Sequence, residues 1–381
     1  MTAVDAGQRL SDSKRLVIKI GSSLLIDDAS GQLRTDWLDA LADDVAAARA
    51  AGQEIVIVSS GTIAAGRHRL GLRGARLRLE EKQAAAAAGQ IRLAHAYEES
   101  LARHGIIVAQ VLLSLEDTER RARHINARNT MVALLRFGAV PIINENDTVA
   151  TEEIRVGDND RLAARVAQMI SADTLVLMTD IDGLYTTDPR HDPAAEPIPV
   201  VREITPEIEA MAGAAPISAN PAGMGSGGMI TKLQAARIAL NAGCRMVIVD
   251  GRQPHALAGI DQAPRRTWFL PGVSPRTQRK RWIASVLNPA GELVIDDGAA
   301  RALNNGKSLL PAGVIAVDGD FERGDAIVVR DKSGREMARG LAAYGAGDAR
   351  LIAGHKSGEI EALLGYRGRD EVIHRDDLVL I

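Results

Sequence analysis

Apolar runs of strand length recur through the first two thirds of the chain: "RLVIKIG", "EIVIVSSG", "IIVAQVLLS", "AVPIINEND", "TLVLMTDIDG" and "MVIVDG". They are continuous rather than alternating, which predicts strands covered on both faces. Helix-length segments such as "DWLDALADDVAAARAAG" and "ERRARHINARNTMVALLRFG" lie between most of them, and Gly52, Gly105, Gly138 and Gly243 stand where left-handed helix C-caps are expected. This alternation specifies a largely parallel sheet between helices, with ligands bound beyond the carboxyl ends of the strands. The Ala-rich "EEKQAAAAAGQIRLAHAYEESLARHG" predicts a helix packed closely against a neighbour, and no chemistry is assigned to it.

Two changes of texture follow. Residues 184–228, rich in proline and glycine ("TTDPRHDPAAEPIPV", "SANPAGMGSGG"), predict a long irregular excursion of the lid or binding-loop type. Near "APRRTWFLPGVSPRTQRKRW" the strand-helix rhythm gives way to proline and basic residues; beyond it "GELVIDDG", "GVIAVDGD" and "DAIVVRDKSG" predict short strands between turns. The expected organisation is an α/β domain over 12–270, a linker over 271–284 and a small, mainly β domain over 285–381.

A length of 381 residues is enough for two or three domains with real cores, in line with that division. The N-terminal "MTAVDAGQRLSDSK" lacks a basic stretch followed by an apolar core, and nowhere do about 18 apolar residues run unbroken, which predicts a cytoplasmic protein with no membrane span. The single cysteine, Cys244, has no partner in the chain and reads as a small buried side chain, so redox and cysteine-metal chemistry are set aside.

Charge among the apolar runs marks the candidate chemistry. Lys19 interrupts "LVIKIGSS"; in a doubly covered strand its ammonium needs an anion or a cavity, unless it lies at the strand end and reaches water. The "GSS" after it and the "SSG" at 59–61 offer small residues and free backbone N–H groups suited to an anion, although serine-glycine turns are also ordinary connections. "NEND" at 144–147 can hold a cation or an ammonium group, or be turn chemistry alone. In "VGDND", Asp158 suits an N-cap and Asp160 a first-turn acid, so capping alone would account for them. Asp180 and Asp182 in "MTDIDGLYTTDPR" fit nucleotide or metal binding, or again a turn.

The stretch "GMGSGGMITK" at 223–232 is neither a Walker loop, because Lys232 follows Thr231 four residues past the last glycine, nor a G-x-G-x-x-G fingerprint. It remains a glycine-rich lead into a helix N-terminus that attracts anions. A lysine in a first helical turn opposes the dipole, and a bound anion gives it a reason to be there.

Taken together, "KIGSSLL", "VSSGTIAAG", "INEND", "VGDND", "LMTDIDGLYTTDPR" and "GMGSGGMITKLQAA" resemble the signature set of the amino-acid kinase family, over nearly the whole chain, and the segments "GELVIDDGA", "IAGHKSGEIEALLGYRG" and "VIHRDDLV" resemble a PUA domain. The resemblance implies an open αβα sandwich with a largely parallel sheet, ATP with Mg2+, and L-glutamate as acceptor, giving L-glutamyl 5-phosphate in the first step of proline synthesis. It also implies homo-oligomerisation, as a dimer or tetramer, and proline as feedback inhibitor. Carried onto matching positions, it makes Lys19, Lys232 and Asp160 catalytic and gives Ser60, Asp147 and Asn159 to the acceptor, with Asn144 as neighbour. Lys19, Thr179, Asp180, Ser226, Gly227, Gly228, Met229, Ile230, Thr231 and Lys232 would meet ATP; metal ligands stay unassigned. Thr62 and Ser226 depart from the commoner alanine and threonine.

The chemistry is coherent. A carboxylate acceptor, with a reference pKa near 4.3, is ionised at neutral pH and needs no general base; the obstacle is repulsion between two anions, which paired cations relieve. The open alternatives are a related kinase for aspartate, N-acetylglutamate, carbamate or UMP, and RNA binding through the tail. Residues 285–381 carry 12 Lys/Arg against 16 Asp/Glu, a balance of −4 that disfavours nucleic acid.

Overall fold

Strand β1 (Arg15–Ile20) is buried from Leu16 onward, as its unbroken apolar run requires. Its side chains divide by parity. Leu16, Ile18 and Ile20 join one core layer with Ile55, Ile57, Val176 and Met178, whereas Val17 joins the opposite layer with Val56, Val58, Leu175 and Leu177. Lys19, between Ile18 and Ile20, therefore belongs to the Val17 face.

The computed structural model describes residues 8–27, 30–72, 77–149, 158–212, 228–272, 274–275, 277–278, 283 and 289–381. The chain divides into two compact units, one of residues up to 119 together with 127–275, the other of 120–126 and 276–381. After β1 come helices α1 (Ser22–Leu25) and α2 (Thr35–Ala50), strand β2 (Glu54–Ser59), helices α3 (Thr62–Arg69) and α4 (Leu79–Ala102), and strand β3 (Val108–Leu113). Helices α5 (Leu115–Glu119) and α6 (Arg121–Arg136), strand β4 (Val140–Glu145), helix α7 (Asp158–Met169) and strand β5 (Thr174–Thr179) continue the alternation.

The excursion after β5 is more regular than its composition suggests. It contains β6 (Leu184–Tyr185) paired with β7 (Pro197–Ile198), then β8 (Val200–Val201) and helix α8 (Pro206–Met211), capped by the Thr205 hydroxyl. Residues 213–227 lie outside the described residues. Helix α9 (Met229–Asn241), strand β9 (Arg245–Asp250) and strand β10 (Thr267–Phe269) complete the unit; β10 falls inside the proline-rich and basic stretch that interrupts the strand-helix alternation.

The main sheet runs β3-β4-β2-β1-β5-β9-β10-β8. Strands β3, β4, β2, β1, β5 and β9 are parallel; β10 pairs antiparallel with β9 and parallel with β8. The largely parallel sheet between helices is the one expected from the alternation, and the whole is the open αβα sandwich that the family resemblance implies. Only β3 departs from the doubly covered pattern, because it is an edge strand, with Ile107 just before it and Leu112 exposed. Sequence order reverses at β1, whose neighbours are β2 and β5, so the crevice at the carboxyl ends of these strands is the switch point where ligands are expected.

The second unit holds a five-stranded sheet, β12-β11-β13-β14-β15, of strands β11 (Gly291–Ile295), β12 (Val314–Gly319), β13 (Ala326–Arg330), β14 (Glu336–Leu341) and β15 (Leu378–Leu380). The three apolar runs of the tail are β11, β12 and β13; β14 and β15 carry weaker patterns. Leu293, Ile295, Ile327, Val329 and Tyr344 form its own core. Among the described residues no helix is long and apolar enough to cross a membrane.

Two glycines set the distance between α3 and α4. A Cβ on Gly66 would lie 1.8 Å from the Ala85 carbonyl oxygen, and one on Gly89 would lie 1.9 Å from that of Thr62. Gly66→Ala or Gly89→Ala is expected to force the helices apart and to cost about 1–3 kcal/mol or more, as overpacked cores do. The check is chemical denaturation, where a lower midpoint with an unchanged slope is predicted.

Candidate active site

The loops at the switch point are held by the sheet itself. Gly21 N donates to Met178 O at 3.1 Å, tying the turn after β1 to β5, and Ser60 N donates to Ile20 O at 3.2 Å, tying the turn after β2 to β1. Gly61 has φ of 102°, a left-handed conformation that favours glycine, and it caps α3. The glycine in "SSG" is thus a backbone requirement, and it brings that turn beside "GSS".

Parity sends Lys19 to the face covered by α7 and α9, and there it meets a carboxylate. Lys19 Nζ lies 2.6 Å from Asp160 Oδ1, and Lys232 Nζ lies 3.2 Å from Asp160 Oδ2. All three residues are buried, Asp160 completely. Thr231 Oγ1 adds a contact of 3.1 Å to Asp160 Oδ2 and also lies 2.9 Å from the Gly228 carbonyl. Asp160 is the third residue of α7 rather than a surface cap, and Asp158 is the first helical residue. Lys19 does not reach back to water, and Lys232, in the first turn of α9, faces inward.

Burial pushes the Asp160 carboxyl upward, but the ammonium groups of Lys19 and Lys232 outweigh it and hold the group down at about 2. Lys232 shifts the other way. Its burial and the nearby Lys19 charge lower its pKa, while Asp160 and, more weakly, Asp180 pull it back. One buried carboxylate thus faces two ammonium groups, and this excess of positive charge suits an incoming anion.

A second cluster lies along the next strand ends. Asn159 Nδ2 donates to Ser60 Oγ at 3.1 Å and to Asn144 Oδ1 at 3.3 Å. Asn144, fully within the interior at the end of β4, donates through Nδ2 to Gln90 Oε1 on α4 at 2.9 Å. Asn159 Oδ1 is buried and has no hydrogen-bond partner among the described residues. Asp147 is buried, and its Oδ2 lies 3.4 Å from the Thr62 hydroxyl. Adjacent residues of α7, Asn159 and Asp160, therefore serve separate clusters.

On the β5 side, buried Thr179 donates to Asp180 Oδ1 at 3.0 Å, and its carbonyl accepts from Gly251 N at 2.7 Å. Asp180 itself is exposed. Asp182 accepts from the Tyr185 hydroxyl at 3.0 Å. Gly228 is the N-cap of α9, Met229 packs against the core, and Ile230 is exposed. Ser226 and Gly227 lie outside the described residues. Among the described residues no three His, Cys, Asp or Glu side chains gather where they could hold a metal ion. Cys244 is fully buried, and burial pushes its thiol up and away from reactivity.

Sequence reasoning missed Gln90. Its helix looked like alanine-rich scaffold, and only the Gly89–Gln90 pair, polar and small amid alanines, marks the turn that faces the strand ends.

Two buried ammonium groups about one carboxylate, beside an uncharged amide cluster at the switch point of an αβα sandwich, make an arrangement suited to an anion. The sequence profile of the amino acid kinase family matches residues 14–250, and that of the PUA domain matches residues 291–364. The chain belongs to the amino acid kinase family. It is 64% identical to a glutamate 5-kinase of Paramagnetospirillum magneticum, over 97% of this chain and 99% of the relative. It is 61% identical to a glutamate 5-kinase of Rhodospirillum rubrum, over 96% of each, and 59% identical to one of Allorhizobium ampelinum, over 97% of this chain and 93% of the relative.

Because the folded value of Asp160 is depressed, its contribution to stability is complete above the unfolded carboxyl pKa of about 3.9 and is lost as pH falls through about 2. Asp160→Asn is predicted to flatten that part of the acid-unfolding profile. At neutral pH it should cost about 3–5 kcal/mol, since two buried ammonium groups then share no counter-charge. Urea unfolding followed across pH tests both.

Proposed function

We infer that this chain transfers the γ-phosphoryl group of ATP to the side-chain carboxylate of L-glutamate, giving L-glutamyl 5-phosphate, the first step of proline biosynthesis. The full-length similarity to glutamate 5-kinases supports the acceptor. The single structural observation that carries the chemistry is the pairing of Lys19 and Lys232 on one buried carboxylate at the strand ends.

The roles follow from charge. The acceptor oxygen arrives already anionic, so the barrier is electrostatic, and the phosphoryl group passes through a loose transition state whose charge needs fixed partners. Lys19 faces the incoming oxygen and Lys232 the leaving phosphate, in this reading, while Asp160 holds both ammonium groups in place with no reorganisation during transfer. Burial makes these interactions stronger than they would be in water. Thr179, Asp180 and the segment from Ser226 to Lys232 receive the nucleotide; the N-terminus of α9 and its lysine suit phosphate oxygens. Ser60, Asp147 and Asn159 hold the amino-acid end of glutamate, which leaves its far carboxylate aimed at ATP.

Mg2+, which prefers octahedral oxygen ligands and keeps waters and substrate phosphates among them, is proposed to accompany the nucleotide and to neutralise part of its charge. Homo-oligomerisation, feedback inhibition by proline and a cytoplasmic setting complete the proposal. The catalytic domain is placed at 12–270, the linker at 271–284 and the PUA-like domain at 285–381, in support of which stand the profile matches at 14–250 and 291–364.

The direct test is ADP release with Mg-ATP across glutamate, aspartate, N-acetylglutamate, carbamate and UMP, with and without proline. Glutamate alone is expected to support turnover, and activity restricted to another acceptor would overturn the reading. Lys19→Ala and Lys232→Ala are each predicted to lower kcat by roughly 10²–10³-fold, the scale seen when a transition-state charge partner is removed. Asp147→Ala is predicted to raise the glutamate KM instead, so initial-rate kinetics on the three variants separate the two clusters.

A further inference from the structure

Side-chain amides look alike from either end, so the direction of a chain of them must be fixed by a group that can act in only one way. Here that group is a backbone N–H. Glu145 N donates to the Asn144 side chain at 2.9 Å, and a backbone N–H can only donate, so the atom it meets is Oδ1. Nδ2 of Asn144 then faces Gln90, and the Gln90 atom 2.9 Å away must accept, which makes it Oε1. On the other side Asn144 Oδ1 can only accept, so the Asn159 atom at 3.3 Å is Nδ2. The two hydrogens of that amide go to Asn144 Oδ1 and Ser60 Oγ, the latter at 3.1 Å.

Two consequences follow at the open end of the relay. Asn159 Oδ1 is turned away from Asn144 as a buried acceptor with no hydrogen-bond partner among the described residues. Ser60 Oγ already accepts from Asn159, so its own proton is available to donate outward. An acceptor and a donor thus sit on neighbouring groups, an arrangement that fits an ammonium beside a carboxylate. That is the head of a zwitterionic amino acid.

We propose that Gln90 is a positioning residue for acceptor recognition: by accepting from Asn144 Nδ2 it satisfies the buried end of the amide whose direction the Glu145 N–H sets, and so holds the Asn144–Asn159–Ser60 relay in place, with Asn159 Oδ1 meeting the α-ammonium group and Ser60 donating to the α-carboxylate. This rests on the glutamate reading above and deepens it. The device discriminates the zwitterion from the same dicarboxylate without its amino group. Without the acceptor at Gln90, Asn144 Nδ2 loses its buried partner. The amide is then held only by the Glu145 N–H at its other end, and the relay presents its acceptor less firmly.

The experiment uses the full chain with Gln90→Met, which keeps length and packing but cannot accept a strong hydrogen bond. Glutamate KM, ATP KM, kcat and the inhibition constant of glutarate against glutamate are measured, with a thermal melt to establish folding. The expected result is a rise of roughly 10-fold in glutamate KM, the scale of one orphaned buried polar group, with ATP KM and the glutarate constant within about twofold of the parent. Unchanged glutamate KM overturns the proposal. So does a parallel rise in the glutarate constant or ATP KM, or a variant that does not fold, because each shows a merely structural role. Should glutarate not inhibit the parent, the split between glutamate and ATP KM decides alone. A parent enzyme inactive on glutamate would refute the acceptor assignment itself, a separate outcome from any of these.

Discussion

A single carboxylate placed between two ammonium groups is the constraint around which the first unit is arranged. An isolated charge at such depth is far too costly to maintain, so each of Lys19, Asp160 and Lys232 requires the others. The three come from β1, α7 and α9, elements distant in sequence, and the sheet order brings them to one crevice. The excess of one positive charge distinguishes the cluster from a closed ion pair and, in the proposed function, suits it to anions.

Neutral groups perform a different task beside it. The relay from Gln90 through Asn144 and Asn159 to Ser60 carries no net charge, yet its direction is fixed by one backbone N–H. In the proposed reading, charge supplies the attraction that brings two anions together, and the amide relay supplies discrimination between a zwitterionic acceptor and a dicarboxylate without the amino group. Helix α7 joins the two clusters through adjacent residues of its first turn, Asn159 and Asp160.

Packing makes this geometry available. Gly66 and Gly89 let α3 and α4 approach at backbone distance, and that approach carries Gln90 toward the end of β4. Gly61 performs the equivalent service for the turn that presents Ser60. Neither contribution is chemical, but without them the polar atoms would not converge.

Periodicity along the chain was sufficient to specify the alternating strands and helices, the parallel sheet and the doubly buried β1, because continuous apolar runs have few other uses. It also singled out Lys19 and Lys232, since a cation in a buried strand or a first helical turn is locally unfavourable and demands a partner. What no local pattern could supply was the partner: "VGDND" reads as a helix cap until folding buries Asp160 between the two lysines. The brief strands β8 and β10 were likewise hidden, being too short for a period to show. Gln90 stayed invisible for the same reason, an ordinary polar residue on an alanine-rich helix whose meaning comes only from the Asn144 amide that tertiary contact sets against it.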